Sequence, residues 1–177
     1  MSSTTLAPQA PAIQRPLAQP GSALVETVTS AGLPLELLCF RVGGQEYGLP
    51  LHSIQEIRSH QQATPLPGQD TAVLGVLDLR GQVIALLDLC RLLNLPIATG
   101  EDAELRAVVV LVQDGRRLGL MVDEVLDVLP VSPEQLRLLP QLPGDFAHHY
   151  LRGMVSSDER RVLLLDASLW IDAYATS

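Results

Sequence analysis

Few residues in this chain have the type and spacing to carry covalent chemistry. The histidines are His52, His60, His148 and His149, and no two stand in an H-x-x-x-H relation. Adjacent His148 and His149 would point to opposite faces of a strand, so they cannot close one metal site. Asp88 and Asp166 could form an acid–base pair. Each, however, follows an apolar run and precedes a short helical segment, which is where a helix N-cap belongs. Glu56 and Asp127 lie among apolar neighbours, and strand alternation turns them to solvent. There is no G-x-S-x-G nucleophile elbow and no G-x-G-x-x-G phosphate loop. All 12 basic residues are arginine, which removes P-loop and Schiff-base lysines. Cys39 and Cys90 sit in apolar runs without CxxC spacing and read as small buried hydrophobes of a reducing compartment. The expectation is a protein without catalytic residues, metal or cofactor.

Arg80 stands apart. It tops a hairpin whose flanks, Val76–Leu79 and Gln82–Ile84, are almost wholly apolar. Such an arginine is either a solvated turn residue or an exposed guanidinium that grips a partner's carboxylate or carbonyl groups.

The elements that would hold these residues are legible from turn dipeptides between apolar runs. Leu37–Val42, Gly43-Gly44 and Gln45–Leu51 predict one hairpin. Val73–Leu79, Arg80-Gly81 and Gln82–Leu87 predict a second, and Ala107–Val112, Asp114-Gly115 and Arg116–Val122 a third. His149–Val155 and Arg160–Leu165 predict a fourth. Ser132-Pro133-Glu134-Gln135 carries a capping box with proline at the first helical position. The chain also repeats itself. Cys39-to-Ile57 aligns with Val110-to-Val128 at one constant offset, and Gly75-to-Asp88 aligns with Gly153-to-Asp166 at another. Short strands at this spacing favour closure into barrels, which removes exposed edges. The reading is an all-β chain with short helices: two small five-stranded SH3-like barrel lobes, about 35–95 and about 105–170, related by a pseudo-two-fold.

Composition sets the outer bounds. The chain has 177 residues, 47% hydrophobic and only 3% aromatic, with a formal net charge of −8. That suits one domain with an aliphatic core. It argues against a nucleic-acid surface, which needs a basic stripe. No apolar run approaches the roughly 18 residues of a membrane span. Residues 1–34 hold five of the 13 prolines and only two charges, Arg15 and Glu26. They read as a flexible leader to a domain at 35–172, with a tail at 173–177.

At FRVGGQEYGLPLHSIQEIR, VLGVLDLRGQVIALLDL and GLMVDEVLDVLPVSPEQLR the sequence resembles the CheW family, the coupling proteins of bacterial chemotaxis. The family's usual Asn-Leu-Arg-Gly stands here as Asp78-Leu79-Arg80-Gly81, and its Val-x-Glu-Ile as Ile54-Gln55-Glu56-Ile57. The resemblance implies two packed β-barrels and a non-enzymatic cytoplasmic adaptor at receptor arrays. It would join the cytoplasmic tip of a methyl-accepting chemoreceptor to the regulatory domain of a CheA-type histidine kinase. A chemosensory-type circuit controlling pili or a second messenger is the alternative. Residue by residue, the resemblance places Arg80, Gly75, Ile54 and Glu56 at partner-binding positions. Val122 and Leu126 join them because they flank the repeat-equivalent segment.

Overall fold

The computed structural model describes residues 35–97, 99, 104–139, 150–157 and 159–175. The leader and His148-His149 lie outside the described residues. The described chain runs β1 (Leu35–Val42), β2 (Gln45–Pro50), β3 (Ile54–Ser59), β4 (Val73–Leu79), β5 (Gln82–Asp88), α1 (Leu89–Leu92), β6 (Ala107–Gln113), β7 (Arg116–Val122), β8 (Glu124–Val131), β9 (Leu136–Leu138), β10 (Leu151–Ser157), β11 (Arg160–Leu165) and α2 (Ser168–Tyr174). The four expected hairpins are present, each within one or two residues of its expected ends. Gly43-Gly44, Arg80-Gly81 and Asp114-Gly115 all take positive φ at both positions, as a two-residue turn matching the strand twist requires. Helix α2 runs through residue 172 to Tyr174, so the ordered domain extends past its expected end. The capping-box segment makes only one 3-10 turn, Pro133–Gln135, in which Gln135 Oε1 accepts from the Ser132 amide at 3.0 Å.

The strands form two sheets, and their composition corrects the expected lobe boundaries. One lobe is six-stranded, in the order β8-β1-β2-β11-β10-β9; the other is five-stranded, β3-β6-β7-β5-β4. Neither is a contiguous stretch. The six-stranded lobe takes β1 and β2 from the first half of the chain and β8 to β11 from the second. The five-stranded lobe takes β3 to β5 from the first half and β6 and β7 from the second. The repeat survives in the registers. Cys39 faces Gly48 as Val110 faces Gly119. Leu164 pairs in parallel with Gly48 as Leu86 pairs with Gly119. The crossing point is physical: after Pro50 a single 3-10 turn, Leu51–Ser53, redirects the chain, and β3 then pairs with β6 rather than with its own hairpin.

This exchange explains why β1, β6 and β7 are buried on both faces. Leu37 and Cys39 pack inside the six-stranded lobe with Val131, Val155, Val162 and Leu164. Val108, Val110 and Met121 pack inside the five-stranded lobe with Leu77, Leu79, Ile84 and Leu86. The alternate residues, among them Leu38, Phe40, Val109, Leu118 and Leu120, meet Trp170 and Ile171 of α2 in a shared core between the sheets. An aliphatic chain therefore needs few aromatics, because three thin layers interdigitate instead of one thick one.

Candidate partner-binding site

The polar chemistry of the five-stranded lobe gathers where its two edges meet. Strand β3 is one edge and β4 the other, yet Glu56 of β3 bonds Arg80 of the β4–β5 turn at 3.0 Å. The sheet therefore curls on itself. A register irregularity between Ile54 and Glu56 makes Gln55 a bulge residue, and a bulge re-aims neighbouring side chains. Glu56 then reaches the β4–β5 turn, and Gln55 reaches β7. Arg117 of β7 donates from Nε to Gln55 Oε1 at 2.6 Å and from Nη1 to Gln82 Oε1 of β5. The Arg80 side chain itself is 78% exposed. Its backbone is left-handed, at φ 53°, a conformation that costs a side-chain-bearing residue about 1–2 kcal/mol. Asp78 supports the turn by accepting from the Gly81 amide at 2.7 Å. Ile57 and Val83 of the same lobe are 45% and 53% exposed.

The expected site residues separate. Arg80, Glu56 and Ile54 share this end of the lobe, though Ile54 is half-buried and leans on the shared core. Gly75 has another task. A Cβ there would lie 2.1 Å from the Thr64 carbonyl oxygen, and its φ is 140°. Thr64 and Val76 exchange two backbone bonds of 2.9 Å beside it. Gly75 thus seats the 60–72 connection on the outer edge of β4. Val122 is corrected outright: it is fully buried in the shared core and cannot touch a partner. Leu126 lies on the other lobe, packed against that lobe's own interior. Arg117, Gln82 and Gln55 escaped the sequence reading, since nothing in the alternation distinguishes a clasp from solvated polar residues.

Other expectations resolve from the same geometry. Asp88 is the N-cap of α1, accepting from the Cys90 and Arg91 amides. It is also nearly inaccessible and bonds Arg106 at 2.9 Å. Asp166 stands one residue before the cap position of α2, yet its carboxylate accepts from the Ser168 amide at 2.9 Å and from Arg152. Burial pushes the Asp166 carboxyl up, but the Ser168 and Arg152 bonds outweigh it and leave it below its ordinary value. Glu56 and Asp127, which strand alternation turns to solvent, are both ion-paired. Cys39 and Cys90 are buried, and burial pushes their thiols up to about 11 and about 12, far from a reactive thiolate. His52 and His60 are exposed.

Two interlocked β-lobes, one with an exposed arginine on a hairpin tip and exposed apolar residues Ile57 and Val83 in the same lobe, are features of a protein-binding module. The chain belongs to the CheW-like domain family, whose model matches residues 36–174. It is 35% identical to a probable chemotaxis protein CheW of Rhizobium etli over 74% of this chain and 83% of that protein. It is 32% identical to the chemotaxis protein CheW of Klebsiella aerogenes over 82% of this chain and 87% of that one. The fold matches the crystal structure of the scaffolding protein TtCheW from Thermoanaerobacter tengcongensis, with a TM-score of 0.67, 21% identity, and coverage of 76% of this chain and 90% of that one.

Proposed function

We propose that this chain is a non-enzymatic adaptor of chemotaxis signalling. It links the cytoplasmic tip of a chemoreceptor to the regulatory domain of a CheA-type histidine kinase, and works in the cytoplasm at the membrane-facing receptor array. Membership of the CheW-like family supports the reading, and no helix among the described residues is long and apolar enough to cross a membrane. The observation that carries it is Arg80, which stands at a hairpin tip with one carboxylate partner among the described residues, Glu56, and most of its surface open. The exposed Ile57 and Val83 add apolar area, and the guanidinium fixes orientation. The test is reconstitution of receptor signalling fragment, kinase and this protein. Receptor-dependent kinase control should appear on adding the chain and fail to appear with Arg80→Ala. Kinase control that is indifferent to the chain overturns the reading.

A further inference from the structure

The repeat makes the two barrel mouths comparable atom by atom. In its two alignments Arg117 stands where Glu46 does, Gln82 where Arg160 does, Glu56 where Asp127 does, and Gln55 where Leu126 does. In the six-stranded lobe Arg160 donates from Nε to Glu46 and from both terminal nitrogens to Asp127, at 2.9 Å each. One guanidinium there lies between two carboxylates. In the five-stranded lobe the arrangement differs: Glu56 bonds Arg80, and among the described residues Arg117 meets no carboxylate. Among the described residues Arg117 bonds only the neutral oxygens of Gln55 and Gln82. It is half-buried, so water screens its charge less than that of an exposed arginine.

A half-buried cation anchored on two amide oxygens keeps its charge available and loses its freedom to move. Gln55 and Gln82 hold Nε and Nη1, which fixes the plane of the fork. Gln82 is also two residues from Arg80, so both guanidinium groups belong to one small patch, with Ile57 and Val83 in the same lobe. Glu56 and Asp78 stand at the same end of the lobe, so the patch as a whole is balanced; the group left without a carboxylate among the described residues is Arg117, and an acidic side chain is its natural counterpart.

We propose that the mouth of the five-stranded lobe is a carboxylate-binding site for an acidic side chain of the protein partner, with Arg117 as its second cation beside Arg80. The partner supplies the carboxylate that Arg117 does not meet among the described residues. The inference rests on the adaptor reading and adds a specificity-determining residue to it.

Gln82→Glu tests it. The change is isosteric and places a carboxylate on Arg117, which strengthens the clasp while it quenches the cation. Binding of the full chain is measured by calorimetry against two probes: the regulatory domain of the CheA-type kinase and the signalling-tip fragment of a chemoreceptor from the same genome. The expected result is a melt unchanged or raised, with affinity for one probe reduced about tenfold and its dependence on salt weakened. A clasp with only a structural role predicts affinity unchanged or improved for both probes, and that outcome overturns the proposal. Gln55→Glu should reproduce the loss from the other side of the same guanidinium. Wild-type protein that binds neither probe removes the adaptor reading and this inference together; wild-type binding that Gln82→Glu leaves intact removes the inference alone.

Discussion

Arg160 in the six-stranded lobe is engaged on two sides by Glu46 and Asp127, and its side chain is 25% exposed. Among the described residues Arg80 in the five-stranded lobe bonds Glu56 alone, and its side chain is 78% exposed. Both arginines belong to the hairpin that follows the bulged strand in their repeat, and both bond the acid on that strand. Both join the edges of their lobes, but Arg80 leaves most of its side chain in solvent. On the proposed adaptor reading, the difference is a division of labour: the same backbone plan serves stability where its polar groups satisfy one another, and recognition where an arginine stays open.

The glycines that open the hairpins should separate the lobes most strongly. Gly75 and Gly153 are repeat-equivalent. A Cβ at Gly75 meets the Thr64 carbonyl at 2.1 Å with φ at 140°, whereas one at Gly153 meets the Arg137 carbonyl at 2.8 Å. Gly75→Ala should cost about 4 kcal/mol in urea unfolding, by strain and overlap together, and Gly153→Ala about 1 kcal/mol. Equal costs would show that the two edge contacts are equally rigid.

The next contrast lies at the helix starts. Asp88→Ala removes a cap and strips a carboxylate from the largely buried Arg106, so about 3 kcal/mol should be lost. Asp166→Ala strips Arg152, an arginine about as buried as Arg106, and frees one amide, but Asp166 itself is 16% exposed against 1% for Asp88, so the cost should be smaller, about 2 kcal/mol. Thermal melts of the two variants decide whether burial sets the order.

A double dissociation follows for the arginines. Arg80→Ala should leave stability within about 0.5 kcal/mol of wild type and weaken partner binding by about 2 kcal/mol, roughly thirtyfold. Arg160→Ala should do the reverse, losing about 1 kcal/mol of stability with partner affinity kept. Matched melting and calorimetry read both quantities, and an Arg160→Ala variant that binds poorly would dissolve the division of labour.

The smallest effect concerns pH. The Arg160 bond holds Asp127 below the ordinary value of 3.8. A carboxyl lowered on folding contributes stability above its unfolded value and loses it as pH falls through the folded one. Asp127→Asn should therefore flatten the loss of stability below about pH 4 and change little at neutrality. An unaltered acid slope would mean that the bond does not persist in solution.

The sequence by itself determined the local elements. Alternating apolar residues around Gly43-Gly44, Arg80-Gly81 and Asp114-Gly115 leave a hairpin as the only economical structure, since both the turn and the buried face are encoded within a few residues. The repeat was equally plain, and with it the presence of two lobes. The partners of each half were not. Like segments β3 and β8 carry the same pattern, and backbone hydrogen bonds do not distinguish one copy of a hairpin from the other. The pairing of β3 with β6 and of β8 with β1 was decided by the redirecting turn after Pro50 and by the need to bury both faces of β1, β6 and β7. The same holds at the site. Arg80 announced itself on its hairpin, but Arg117 lies 62 residues from Gln55 and 35 from Gln82. Only closure of the curled sheet brings those three side chains within hydrogen-bond reach, and no local pattern records a contact made by closure.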